Sequence, residues 1–159
     1  MPRGRDPCPE EGESVANCSA LFYVGRMKTE FAVPAVVPTP TSGSLVDHIV
    51  ENAEKRPDHV AMSLPRGGAW VGLTSQQFLD EVKAVAKGII ANGVGPGERI
   101  GVMSRTRYEW TLVDYAIWYA GAVSVPVYET SSAEQIQWML SDSCAVAGFF
   151  ESEKNKAAF

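Results

Sequence analysis

Beyond residue 43 the chain alternates between segments whose apolar positions recur at helical spacing and short runs that are apolar throughout. Four times a Ser or Thr stands three residues ahead of an acidic or amide side chain: Ser44 with Asp47, Thr74 with Gln77, Thr106 with Glu109, and Ser131 with Glu134. In a capping box the first side chain accepts from the N3 backbone N–H and the N3 side chain reaches back, so each pair predicts a helix start. The first helix is expected to reach about Lys55, ahead of Pro57, with Leu45, Ile49 and Ala53 on one face. The second carries the stripe Phe78, Val82, Val85 and Ile89 and is expected to stop where Gly93 takes a left-handed conformation. The third, "RYEWTLVDYAIWYAGA", is apolar on most sides, with Asp114 the main interruption, which predicts deeper burial than the other helices. A fourth covers about 132–142.

Between these helices lie runs of strand character. "VAMSL" and "AWVGL" flank "PRGG" and predict a hairpin. "RIGVM" (99–103), "VSVPVY" (123–128) and "AVAGFF" (145–150) are continuous apolar runs separated by helices. Such a pattern is required by a parallel sheet covered on both faces and joined by right-handed crossovers, so the fold class is α/β. Pro126 removes one ladder donor, which an edge position or a bulge accommodates.

Residues 1–43 differ in character. They are rich in Pro, Gly, Ser and Glu, and "VPAVVPTPTSGS" places three prolines within seven positions, so an extended or disordered arm is expected. Met27 opens "MKTEFAVPAVVP", which leaves two readings: a start at Met1, or a start at Met27 with residues 1–26 as an extension of the reading frame.

Composition narrows the function. A chain of 159 residues with 45% apolar and 21% charged content is that of one globular domain. The net charge of −5 comes without a Lys/Arg cluster, which argues against nucleic acid as a partner. Cys8, Cys18 and Cys144 lack CxxC spacing and are not grouped with His48 or His59, so reduced cysteines in a cytoplasmic setting and no metal site are expected. The longest apolar stretch, Tyr115 to Tyr128, contains Gly and Pro and is shorter than the ~20 residues of a membrane span. "ALFYV" is likewise too short for the roughly 7–15 residues of a signal-peptide core.

Ligands of open parallel sheets bind beyond the carboxyl ends of the strands, which selects "SRTR" (104–107) and "YETSS" (128–132). Arg105 and Arg107 are candidates to meet a phosphate or carboxylate, with solvation or local pairing as the structural alternative. Tyr128, Glu129 and Thr130 are candidates to line a pocket or to tie two loops together, whereas Ser131 and Glu134 have a sufficient role as a cap. "GVGPG" (93–97) follows a helix and precedes a strand, the reverse of a dinucleotide fingerprint. "TSGS" (41–44) lacks the downstream Gly and Lys of a phosphate loop, and His48 has no nucleophile or acid spaced around it. Trp110, Tyr115, Trp118 and Tyr119 are read as packing residues rather than a lipid-binding face.

The segment "SRTRYEWTLVDYAIWYAGAVSVPVYETSSAEQIQWMLSDS" (104–143) resembles the AMP-forming acyl-CoA ligases, specifically the bacterial long-chain fatty acid branch and its actinobacterial type. The resemblance extends to "MKTEFAVPA" and "GVGPGERIGVMS", so it covers about 27–159. It implies that residues 44–159 begin the large N-terminal α/β domain of an adenylate-forming ligase, with three parallel strands, crossover helices, a leading helix and a hairpin. For the full-length enzyme it implies a long-chain fatty acid substrate, ATP, Mg²⁺ and coenzyme A, and a cytoplasmic location with the membrane periphery left open. The family's phosphate loop (TSGTTGxPKG), its later motifs and its catalytic Lys match nothing here, so no catalytic residue is carried over. The resemblance therefore implies an N-terminal segment that is inactive alone, binds no cofactor productively and self-associates through exposed apolar surface. The rivals are a free-standing α/β binding module and an interaction protein that pairs with a full-length ligase.

Overall fold

The computed structural model describes residues 41–156 together with Pro34, Val36 and Val37, so the expectations for the arm and for Met27 lie almost wholly outside the described residues. The chain divides into two units, Met1–Ser42 and Gly43–Phe159. The elements of the second unit run in the order α1 (Leu45–Lys55), β1 (Val60–Arg66), β2 (Ala69–Thr74), α2 (Ser75–Ala91), β3 (Arg99–Met103), α3 (Tyr108–Tyr119), β4 (Val123–Pro126), α4 (Ala133–Asp142), β5 (Ala145–Phe150) and α5 (Glu153–Lys156).

β1 and β2 pair antiparallel with a bulge between Val60 and Met62. Gly67 and Gly68 make the turn at φ +58° and +81°, the doubly left-handed geometry that suits a two-residue hairpin and that other residues adopt at a cost. The other three strands form a parallel sheet in the order β4-β3-β5, with Ile100 opposite Ser124 on one side and Ala147 on the other. Pro126 thus lies on an edge strand, where its missing N–H faces away from the ladder.

β3 is the centre of the structure, and Ile100, Gly101, Val102 and Met103 are all buried. Strand alternation sends Ile100 and Val102 into the main core with Phe78, Val82, Leu112 and Ile117 of α2 and α3. Met103 faces the other way, into a second core with Val127, Ile136 and Leu140. Gly101 shares that face; a Cβ there would stand 2.5 Å from Leu140 Cδ2, so the bare backbone is what lets α4 approach.

The capping boxes at Ser44/Asp47 and Thr74/Gln77 form as expected. α2 ends in a Schellman motif: Val94 N–H donates to Ile89 O, Gly93 N–H donates to Ile90 O, and Gly93 sits at φ +85°. Two expected caps are corrected. α3 starts after Arg107, which has no capping side chain, so Thr106 and Glu109 form no box. α4 is capped one residue later than expected, by Ser132 with Gln135, because Ser131 N–H is committed to a turn with Tyr128 O at 3.0 Å. Ser132→Ala should therefore cost about 0.5–2 kcal/mol and Ser131→Ala clearly less, measured as urea midpoints. The opposite ranking would reinstate a cap at Ser131.

The face of α1 is also rotated from expectation, since Val46 is buried with Ile49 and Ala53 while Leu45 is 59% exposed. On α3 only Glu109 and Tyr119 are exposed, which agrees with its apolar sequence, and Asp114 does not interrupt the buried side but lies within it. No helix among the described residues is long and apolar enough to cross a membrane.

Candidate functional site

Parallel strands point their carboxyl ends to one rim, so the loops after β3, β4 and β5 converge there. Arg105 and Arg107 follow β3, Glu129 follows β4, and Glu151 is the first residue after β5. Glu151 is the centre of the arrangement and its side chain is 14% exposed. It accepts from Arg105 Nη2 at 2.7 Å, Nε at 3.1 Å and the Arg105 backbone N–H at 2.8 Å, and from Arg107 Nη1 at 3.3 Å. Arg107 also donates from Nε to Glu109 at 2.5 Å and from Nη2 at 2.9 Å. Glu129 approaches Arg105 at 4.0 Å.

The charges respond as this geometry requires. Hydrogen bonds from Arg105 hold the Glu151 carboxyl down to about 2. Arg105 is raised above its ordinary value, chiefly by its bond to Glu151, and Arg107 chiefly by its bond to Glu109. Glu109 is in turn lowered by Arg107. A single exposed ion pair contributes little, so the cohesion of the rim comes from several bonds meeting on one carboxylate. Behind it, the Tyr108 hydroxyl donates to Glu81 at 2.7 Å and links α3 to α2; burial, then that bond, raises its pKa.

Of the sequence-selected residues, the structure brings Arg105, Arg107 and Glu129 together. Tyr128 is 84% exposed and Thr130 is exposed in the adjoining turn, and neither joins the ion network. Sequence reasoning missed Glu151, although the rule that selects the other two loops, the first polar residues beyond a strand, also selects it. Beside the rim, Val102, Trp110, Val113 and Phe149 line a mostly apolar cavity of about 230 Å³. A wider cleft of about 990 Å³ opens between the hairpin, at Arg66, and the Arg105–Tyr108 segment.

This rim is built to hold loops together. Both arginines are engaged by carboxylates, Arg105 by Glu151 and Arg107 by Glu109 and Glu151, whereas Glu129 makes only the long approach to Arg105. Among the described residues no group of three or more His, Cys, Asp or Glu is placed to hold a metal ion.

Residues 49–158 match the AMP-binding enzyme family. The chain belongs to that family. It is 39% identical over 126 residues to the long-chain-fatty-acid–CoA ligase FadD15 of Mycobacterium tuberculosis, a match covering 79% of this chain and 21% of that protein. An uncharacterised protein of the same organism is 31% identical over 87 residues, which are 55% of this chain and 49% of that one. Among solved structures, a putative long-chain-fatty-acid CoA ligase from Rhodopseudomonas palustris superposes with a TM-score of 0.64 at 24% identity, covering 74% of this chain and 29% of that chain. That likeness establishes the fold, an adenylate-forming ligase N-terminal α/β architecture. This AMP-binding enzyme chain spans about a fifth of the length of FadD15.

Proposed function

We propose that this chain is the N-terminal part of a long-chain fatty acid–CoA ligase, which converts a fatty acid, ATP and coenzyme A to acyl-CoA, AMP and pyrophosphate through an acyl-adenylate. The observation that carries the reading is the 39% identity to FadD15 over 126 residues. In this reading residues 44–159 are the opening portion of the large domain, and the rim of Arg105, Arg107, Glu129 and Glu151 braces strand ends rather than reacting. Adenylation brings an anionic carboxylate against the α-phosphate of ATP, and catalysis depends on cations, N–H donors and Mg²⁺ held ready around them. The paired charges of the rim do not supply that assembly, so ATP, Mg²⁺ and coenzyme A are assigned to further parts of a longer chain. The exposed Trp70, Tyr128 and Trp138 support self-association of the 159-residue chain by itself.

The test compares this chain with the product of a reading frame extended past codon 159, assayed for fatty-acid-dependent pyrophosphate release with ATP, Mg²⁺ and coenzyme A. Turnover by the longer product and none by the shorter is expected. Turnover by the shorter chain, or none by the longer, overturns the reading. The uncharacterised M. tuberculosis relative, of which 87 aligned residues make up 49%, is close to this chain in size and favours a second reading as a stand-alone interaction module. A stop codon directly after Phe159 in an intact gene, with a monodisperse monomer in solution, would select it.

A further inference from the structure

Asp114 sits in the middle of α3 with 7% of its surface exposed, and the other buried positions of that helix, Leu112, Ala116 and Ile117, are all apolar. Its Oδ1 has no hydrogen-bond partner, and neither has the buried Oγ of Ser124 on β4. The two groups lie close enough for the hydroxyl to favour the ionised carboxylate, but no well-formed hydrogen bond joins them, and burial outweighs the hydroxyl and raises the Asp114 pKa. No charged group on α1, α2, β3 or β4, the elements against α3, acts on Asp114. Glu81 of α2 is bonded to Tyr108, Asp80 of α2 accepts from Gln76, Glu51 and Lys55 of α1 pair with each other, and Arg99 of β3 is exposed. An ionised Asp114 therefore has one carboxylate oxygen, Oδ1, buried without a partner and no opposite charge beside it, a costly state that a fold relieves by taking up a proton or by opening.

The strand across from it is the one least able to resist opening. β4 has four residues and pairs on one side only. Beyond Pro126 its attachment to β3 continues through Val127 N–H to Val102 O at 2.9 Å, and the loop that carries Glu129 to Arg105 comes directly after.

We propose that the α3–β4 contact is a proton-sensitive joint, in which a neutral Asp114 lets β4 seat against α3 and an ionised Asp114 loosens β4 together with the loop after it. On ionisation the proton passes from the Asp114 carboxyl to solvent, and water enters beside Ser124 to solvate the charge. Because the folded form holds the proton more tightly than the unfolded chain, the joint contributes its full stability below the ordinary aspartate pKa and loses it as pH rises through the raised value.

The experiment tracks the 159-residue chain from about pH 3, below the ordinary aspartate value, to about pH 8, with and without Asp114→Asn, by thermal melting and by amide hydrogen exchange. Asparagine keeps the shape and removes the ionisation. At the alkaline end Asp114→Asn should melt several degrees higher than the wild type, with the gap closing toward the acid end. Protection of the Val127 amide, corrected for intrinsic exchange, should fall about tenfold or more with rising pH in the wild type and stay level in the variant. Parallel pH curves for the two proteins, or a Val127 protection that ignores pH in the wild type, overturn the proposal. A titration of the Asp114 carboxyl carbon by NMR in the wild type gives a reading independent of whether the variant folds, and a midpoint at or below the ordinary aspartate value also overturns it.

Discussion

Ile100→Ala should destabilise the fold by about 2–5 kcal/mol, a large part of the roughly 5–15 kcal/mol that holds a domain of this kind together. Ile100 has no exposed surface, occupies the central strand and is paired on both sides, so the shortened side chain leaves a void that neither neighbouring strand can fill by shifting. The loss combines the transfer energy of the deleted methylenes with the contacts their neighbours forfeit. Urea denaturation should show a lower midpoint with an unchanged slope. A cost below about 1 kcal/mol would mean that α2 and α3 repack over the site and that β3 is not a rigid centre.

Glu151→Lys is expected to have the second large effect. It replaces the acceptor of four bonds with a third cation beside Arg105 and Arg107, so attraction becomes repulsion where the β3 and β5 loops meet. Exchange of the Arg105 amide, which in the wild type is bonded to Glu151 Oε2 at 2.8 Å, should accelerate sharply, while amides of α2 keep their protection. The pH dependence has a definite sign. The folded Glu151 carboxyl is depressed to about 2, so its contribution is present above the ordinary carboxylate value of 4.5 and is lost as pH falls from there toward 2. Acid unfolding of the wild type should steepen in that window, and the variant should lack this component. An unchanged Arg105 amide, or an acid limb that survives the substitution, would show that the rim does not couple the loops. Asp114 has the opposite sign, since burial raises its pKa and its contribution is lost as pH rises.

Most of the fold is legible in the sequence because its signals are local. The α2 stripe of Phe78, Val82, Val85 and Ile89, its cap at Thr74 and its Schellman ending at Gly93 all act within one or two turns of chain, and the backbone responds to them before any distant contact exists. The misplacements arise where two local readings are equally good. "SSAEQ" offers a box at Ser131/Glu134 and another at Ser132/Gln135, and the turn that binds Ser131 to Tyr128 selects the second. Thr106 is passed over because Arg107, drawn to Glu151 across 44 residues, becomes the cap position instead.

The rim shows the same division. Position at the end of a strand nominates Arg105, Arg107 and Glu129, but nothing in their own neighbourhood shows that Glu151, 46 residues beyond Arg105, takes up the charge of Arg105 and also reaches Arg107. By itself the sequence determined which segments are helix or strand, their order, and through the apolar runs the parallel sheet, since periodicity and capping are properties of a few consecutive residues. Only the tertiary structure decided which charges neutralise one another at the rim, which edge of the sheet carries Pro126, and that Asp114 faces inward beside Ser124. Those outcomes depend on which distant groups meet when the strands pack and, for Asp114, on a low-dielectric space from which water is largely excluded.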